Sequence, residues 1–320
     1  MSSVTKSVLQ LVAFIAIVGL VIAFADLKSI WQGAQRASLG VIILAFVLSI
    51  VIITTSAFKL QLIMPAVPVA TLIRIALISQ FYSYFFLGQA SGEAAKIYML
   101  SRASGKLSGS MVSVIADRLT SFIGLLIVSI VGFGFSPSTY PHRLQELSLI
   151  FLAVLTIALL ALRHDVAFLL AERIVVRIEQ SMPRLKSIVG PLREAIEQWH
   201  VSVRNIYRVL AGVSIGAIVH IGNVSVVMIL ASGVGIEINF FDWCWIVGIM
   251  SVAGLVPITI GQVTAYGTMV ALLQLFKIPV ADALAVSVLI LAVNFVTALI
   301  GALLEWQRWR EPLQASVDRQ

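Results

Sequence analysis

Charge is what this 320-residue chain has least of. Asp, Glu, Lys and Arg together make up 12% of it, about half the share of a soluble domain. The single cysteine, Cys244, excludes an internal disulfide and any cysteine-based metal cluster. Four histidines, at 142, 164, 200 and 220, are scattered without metal-ligand spacing. No phosphate-binding loop, His-x-x-x-His pair or Gly-x-Ser-x-Gly elbow is present. The expectation is therefore a non-enzyme with no cofactor and no metal. No nucleic-acid recognition module is visible either, so the net charge of +7 fits anionic lipid head groups better than nucleic acid.

Apolar residues are what fill the chain, at 60% of positions and a mean hydropathy of +1.03. A helix needs about 20 apolar residues to cross a hydrocarbon core of about 30 Å. The clearest such runs are Val8–Ala25, Leu39–Leu60, Met111–Phe135, Leu147–Leu162, Val209–Ala231 and Asp282–Leu304. Val69–Leu87, Trp243–Ile258 and Val263–Phe276 are less clean. The first run is longer than a signal-peptide core and lacks a clear small-x-small cleavage site. A polytopic helical membrane protein follows.

Basic residues set the expected orientation. The polar segment 163–208 holds eight Lys or Arg against five acids, which places it in the cytoplasm, together with the tail bearing Arg308, Arg310 and Arg319. Ser232–Asp242 has two acids and no base, so it is expected outside. Arg102 and Lys106 also read as cytoplasmic, yet a full crossing by Val69–Leu87 would leave them outside. A re-entrant hairpin removes the conflict: the chain enters at Val69, turns at Gly88–Gly92 and returns through Ser101.

The second half repeats this order. "VPITIGQVTAYGTMVALL" (256–273) parallels "FFLGQASGEAAKIYML" (85–100), and Pro257 breaks the helix entering the second turn. Gln89 lies 24 residues before Ser113, and Gln262 lies 25 before Ser287. The fold class expected is an all-α polytopic membrane protein with about six full spans plus two re-entrant hairpins in an inverted repeat, the hairpin tips meeting near the midplane. The domain division is 1–143 for the first repeat with its hairpin near 69–101, and 144–208 for the fifth-span region and the basic loop. The rest of the second repeat covers 209–306, with a hairpin near 243–276, and 307–320 form the tail.

Ionisable groups within membrane segments are costly to bury and are functional candidates for that reason. Glu93 and Lys96, three residues apart, face the same way on one helical turn. They suit a zwitterionic or anionic head group, or equally a structural salt bridge. Asp117 and Arg118 stand inside the next span, and Arg118 suits Glu93 or a lipid phosphate. Gln89 lies at the first turn and Arg102 at the cytoplasmic mouth. Gln262, Thr264 and Tyr266 in the second hairpin, Asn294 mid-span, and His220 with Asn223 offer uncharged polar contacts, which commonly join helices in lipid. Leu192, Ile196, Trp199, Val203, Ile206 and Leu210 mark an amphipathic helix for the inner leaflet, a partner or the bundle itself.

"GQASGEAAKIYMLSRASG…SMVSVIADRL" resembles the lysylphosphatidylglycerol synthase transmembrane family. Glu93 and Lys96 match the acidic and basic positions of its first motif, and Asp117-Arg118 its acidic-Arg pair. "VPITIGQVTAYG" is similar to its second motif and retains Pro257 and Gly261, but Gln262 and Thr264 replace glycines, and Gly267 stands where a glutamate is common. The resemblance implies a flippase-type domain handling membrane lipids, stand-alone here, in the cytoplasmic (inner) membrane. The reading it favours is a translocase moving a phospholipid, glycolipid or polyprenyl-linked lipid between leaflets. A non-catalytic partner subunit of a lipid-modifying or glycosyltransferase system and an intramembrane head-group-modifying enzyme are the alternatives.

Overall fold

A computed structural model describes residues 27–86, 88–136, 205–254 and 263–317, with isolated helical positions at 146, 150, 154 and 173. The expected spans Val8–Ala25 and Leu147–Leu162, the amphipathic stretch from Leu192 to Arg204, and Pro257–Gln262 lie outside the described residues.

Where described, the chain is helical, with no strand. The helices are α1 (Leu27–Gln35), α2 (Leu39–Ile63), α3 (Val69–Phe85), α4 (Gln89–Ser104), α5 (Leu107–Phe135), α6 (Ile206–Val234), α7 (Phe240–Ala253), α8 (Val263–Leu273) and α9 (Val280–Val317). Four of them, α2, α5, α6 and α9 over Val280–Arg310, are long and apolar enough to cross a membrane. This is a multi-pass membrane protein. The burial of the spans differs sharply. Only 11% of the apolar window of α2 is buried, against 50% for α9. Val47, Val51 and Phe58 on α2 face outward, as lipid rather than protein must cover them.

Local chemistry sets the breaks. Pro65 follows α2, and Pro68 precedes α3, at positions where proline cannot continue a helix. Between α3 and α4 the chain turns at Gly88, whose φ of 66° suits a residue without a Cβ. The Ser91 hydroxyl lies 2.8 Å from the carbonyls of both Tyr82 and Gly88, which also accept the N–H groups of Phe86 and Ser91, and so ties the end of α3 to the turn. The α6 terminus closes with Ile236 N–H donating to Ala231 O and Gly235 N–H to Ser232 O, a Schellman pair around a left-handed glycine. The same bond pattern follows α8 and its 3₁₀ turn Gln274–Phe276, but there Lys277 holds the left-handed position, at φ 57°.

Two compact units emerge. The first gathers the chain up to Ile52, Leu77–Glu93 and everything from Gly222. In it α9 packs on α1, and α7 on α8. The carbonyl of Leu77 lies where a side chain at Gly301 would stand, and Ser83 and the Ser79 carbonyl crowd Gly92, which holds α3 and α4 close. Trp243 and Trp245 on α7 are fully enclosed.

The second unit takes in Ile53–Ala76 and Ala94–Ile221. Here α5 and α6 meet through small residues. A Cβ at Gly124 would strike the backbone of Gly216 and Ala217, and one at Gly216 the backbone of Thr120 and Ser121. Such contacts let helix backbones approach where lipid offers no hydrophobic drive for association.

Two expectations need correction. The span expected from Met111 begins at Leu107, because Ser108, Ser110 and Ser113 bury their hydroxyls against protein; those of Ser110 and Ser113 donate back to the carbonyls of Lys106 and Gly109. Asp117 therefore stands ten residues into its helix. His220 and Asn223 do not share a setting: His220 is buried and Asn223 is exposed.

Candidate functional site: a carboxylate shared by two lysines

In the second unit three charged side chains from three helices converge. Asp117 of α5 is ion-paired with Lys59 of α2, whose Nζ lies 2.9 Å from Oδ1, and with Lys96 of α4, whose Nζ donates to Oδ2 at 2.9 Å. Lys59 Nζ also donates to the Asp117 carbonyl at 2.8 Å and lies close to Ser121 Oγ. The side chain of Lys59 is fully enclosed, that of Asp117 is 5% exposed and that of Lys96 10%. Burying ions is costly unless geometry and further hydrogen bonds compensate. Each carboxylate oxygen here has its own ammonium.

Helical spacing builds this arrangement. Asp117, Thr120, Ser121 and Gly124 recur at three and four residues, so they share one face of α5. The Thr120 hydroxyl donates to the carbonyls of Ala116 and Asp117, at 2.8 and 3.1 Å. Gly212 and Gly216 of α6 press on Thr120 and Ser121, so this face is held against a neighbouring helix. Arg118, the adjacent residue, points elsewhere and is exposed.

In the first unit α3, α8 and α9 meet through polar side chains. The hydroxyl of Tyr84, near the end of α3, lies 3.3 Å from that of Tyr266 on α8, and Asn294 Nδ2 of α9 donates to Tyr266 at 3.3 Å. The rings of Phe85 and Phe295 lie 5.7 Å apart beside them. Farther along α9, Glu305 accepts from Tyr82 Oη at 3.1 Å, from Arg308 Nε and Nη2 at 2.9 and 2.5 Å, and from Trp309 Nε1 at 2.8 Å.

Of the residues expected from sequence, Lys96 and Asp117 come together, as do Tyr266 and Asn294. Glu93 and Gln89 are half-buried on α4. Arg102 is exposed and stacks over Tyr98, 5.7 Å from the ring centre. Thr264 donates to the Ala253 carbonyl at 3.2 Å. Gln262 lies outside the described residues. Lys59, Tyr84 and Glu305 were not anticipated. For Lys59 a signal existed: a single ammonium in a 25-residue apolar helix is an anomaly in itself.

No curated protein matches the chain. A family match does exist, and it spans nearly the whole sequence, including all three helices that supply the Lys59–Asp117–Lys96 cluster. With residues 7–301 matched, the chain belongs to the family described as the lysylphosphatidylglycerol synthase TM region.

Proposed function

We propose that this protein is a translocase that moves a lipid between the leaflets of the cytoplasmic membrane, without catalysing a change in it. The observation that carries the reading is the Lys59–Asp117–Lys96 cluster. It places ions within α2 and α5, two membrane-length helices, and on the hairpin helix α4. Ions at such positions mark substrate paths more often than scaffolding. The family name concerns a lipid that carries a charged head group. The same chemistry suits a polar path whose lipid tails remain in the bilayer.

Depth along α9 supports the re-entrant reading. Trp306 and Trp309 are exposed and flank Arg308 and Arg310, the pattern of an interfacial belt. Asn294 precedes Trp306 by twelve residues, about 18 Å at the helical rise, against about 15 Å for half a hydrocarbon core. The Tyr84–Tyr266 contact, beside Asn294, thus sits near mid-membrane. Both hairpins turn there in this reading, one from each side, as inverted repeats do. The charges of the 163–208 segment and of the tail put both on the cytoplasmic side. Rocking of one part against the other would expose the cluster to each leaflet in turn, driven by an ion or lipid gradient.

The test is transfer of fluorescent phospholipids and glycolipids across proteoliposome leaflets. Wild type should move at least one class, and Lys96→Gln should slow that movement about tenfold. Tyr207→Ala, at a residue 82% exposed, should not slow it. Folded protein that moves no lipid, or Lys96→Gln moving lipid at the wild-type rate, sinks the reading.

A further inference from the structure

The charges in the buried cluster do not balance, and the imbalance has a chemical meaning. Lys59 and Asp117 form a neutral pair with the lysine fully enclosed and tied to a backbone carbonyl. Lys96 then adds a second ammonium to a carboxylate already matched. The cluster carries one positive charge in excess. Among the described residues of the three helices that build the cluster, the remaining charged side chains, Glu93, Arg102 and Arg118, sum to one further positive charge and do not cancel it. A surplus charge in an apolar setting is costly without a counter-ion.

We propose that the counter-ion is a monoanionic phosphate of the substrate, which engages Lys96 while Lys59 and Asp117 stay paired. This rests on the translocase reading and narrows it to lipids with a phosphodiester or phosphate-linked head group. Lysine suits this task as a compact point charge that does not require a planar partner. Lys96 is also the partner with an open side: its side chain keeps 10% exposure while that of Lys59 has none. Asp117 holds Lys96 in place until phosphate competes for it.

Charge count, not residue identity, is the testable core. Full-length protein in detergent is incubated with phosphatidylglycerol and with a neutral diglucosyl-diacylglycerol of the same acyl chains. Retained lipid is measured by native mass spectrometry, and unfolding midpoints are recorded in parallel. Wild type should favour phosphatidylglycerol about tenfold. Lys96→Gln and Lys59→Gln each leave a neutral pair and should bring the ratio near one. The double variant Asp117→Asn with Lys59→Gln restores a single surplus charge and should restore the preference. Asp117→Asn alone should unfold earlier than wild type, and phosphatidylglycerol should raise its midpoint more than it raises the wild-type midpoint.

A preference that ignores these changes overturns the proposal, as does one that Lys59→Gln leaves intact, because an uncharged Lys59 would leave no surplus. If the double variant does not fold, the midpoint shift of Asp117→Asn decides alone. Inorganic phosphate forms the last arm. If it displaces phosphatidylglycerol and reproduces the midpoint shift, the phosphate chemistry stands and the lipid reading falls. Phosphatidylglycerol held by the charge rule in vesicles where no lipid moves upholds the site and sinks the translocase alone.

Discussion

Tyr84 and Tyr266, 182 residues apart, meet hydroxyl to hydroxyl at 3.3 Å, one near the end of α3 and the other near the start of α8. Tyr266 also receives the Asn294 amide. Tyr266→Phe removes one oxygen from both contacts and leaves half-buried polar partners behind. The expected cost is about 1–3 kcal/mol, read as a lower unfolding midpoint in detergent. Adding Tyr84→Phe should cost little more, because its partner is already gone. Additive losses would mean that the two hydroxyls are not coupled.

The ion cluster predicts an asymmetry between single and combined replacement. Asp117→Ala strands two ammoniums and should destabilise by about 3–5 kcal/mol. The triple change Lys59→Met, Lys96→Met and Asp117→Leu should recover most of that loss while abolishing lipid movement. Transport that survives the triple change would show that the cluster is structural.

At the α5–α6 contact, Gly124→Val should separate the helices, because a Cβ there meets backbone rather than a movable side chain. The expected loss is about 1–3 kcal/mol, the usual range for overpacking. Gly134→Ala, on the same helix with open space around it, should be close to neutral. Comparing the two midpoints isolates the contact from helix propensity.

Glu305→Gln converts the Arg308 fork into weaker neutral acceptance. About 1.5–3 kcal/mol is typical for a hydrogen bond to a charged group, and Arg308, at 34% side-chain exposure, puts the loss at the lower end. Tyr82→Phe should cost less than Glu305→Gln, since it removes one of four donors.

Lys277 sits in the left-handed region at φ 57°. Lys277→Gly should stabilise by about 1 kcal/mol by relieving a strain that glycine does not feel. A lower midpoint would mean that the lysine side chain contributes more than its backbone costs.

How far the sequence could be read depended on which signal each element carried. The apolar runs gave α2, α5 and α6 within four residues at each end, because hydropathy over a membrane length has few competitors; α9 starts within two residues of the expected run but continues past Leu304 to Val317, where polar residues no longer carry a hydropathy signal. Gly88 gave the break between α3 and α4. Lys96 and Asp117 stood out as charges in apolar surroundings, but their pairing across 21 residues did not, since it depends on how α4 returns beside α5. Lys59 escaped notice because one charge hardly alters the hydropathy of a 25-residue span. Gly212 and Gly216, a Gly-x-x-x-Gly pair plain in the sequence, mark the face that meets Thr120 and Ser121. Glu305 needed the three-dimensional fold, because three of its four donors come from its own helix but Tyr82 comes from α3.

Lys59 also bears on a question that hydropathy leaves open. A helix as uniformly apolar and as lightly covered as α2 has almost nothing to fix its azimuth about its own axis. Turning it by one residue position, about 100°, would swing the ammonium from Asp117 toward the acyl chains, at about 2.5–3.5 kcal/mol on insertion scales. One buried lysine therefore works as a key in a keyway: it lets α2 slide in with the bilayer during assembly and then allows it to stop at a single angle.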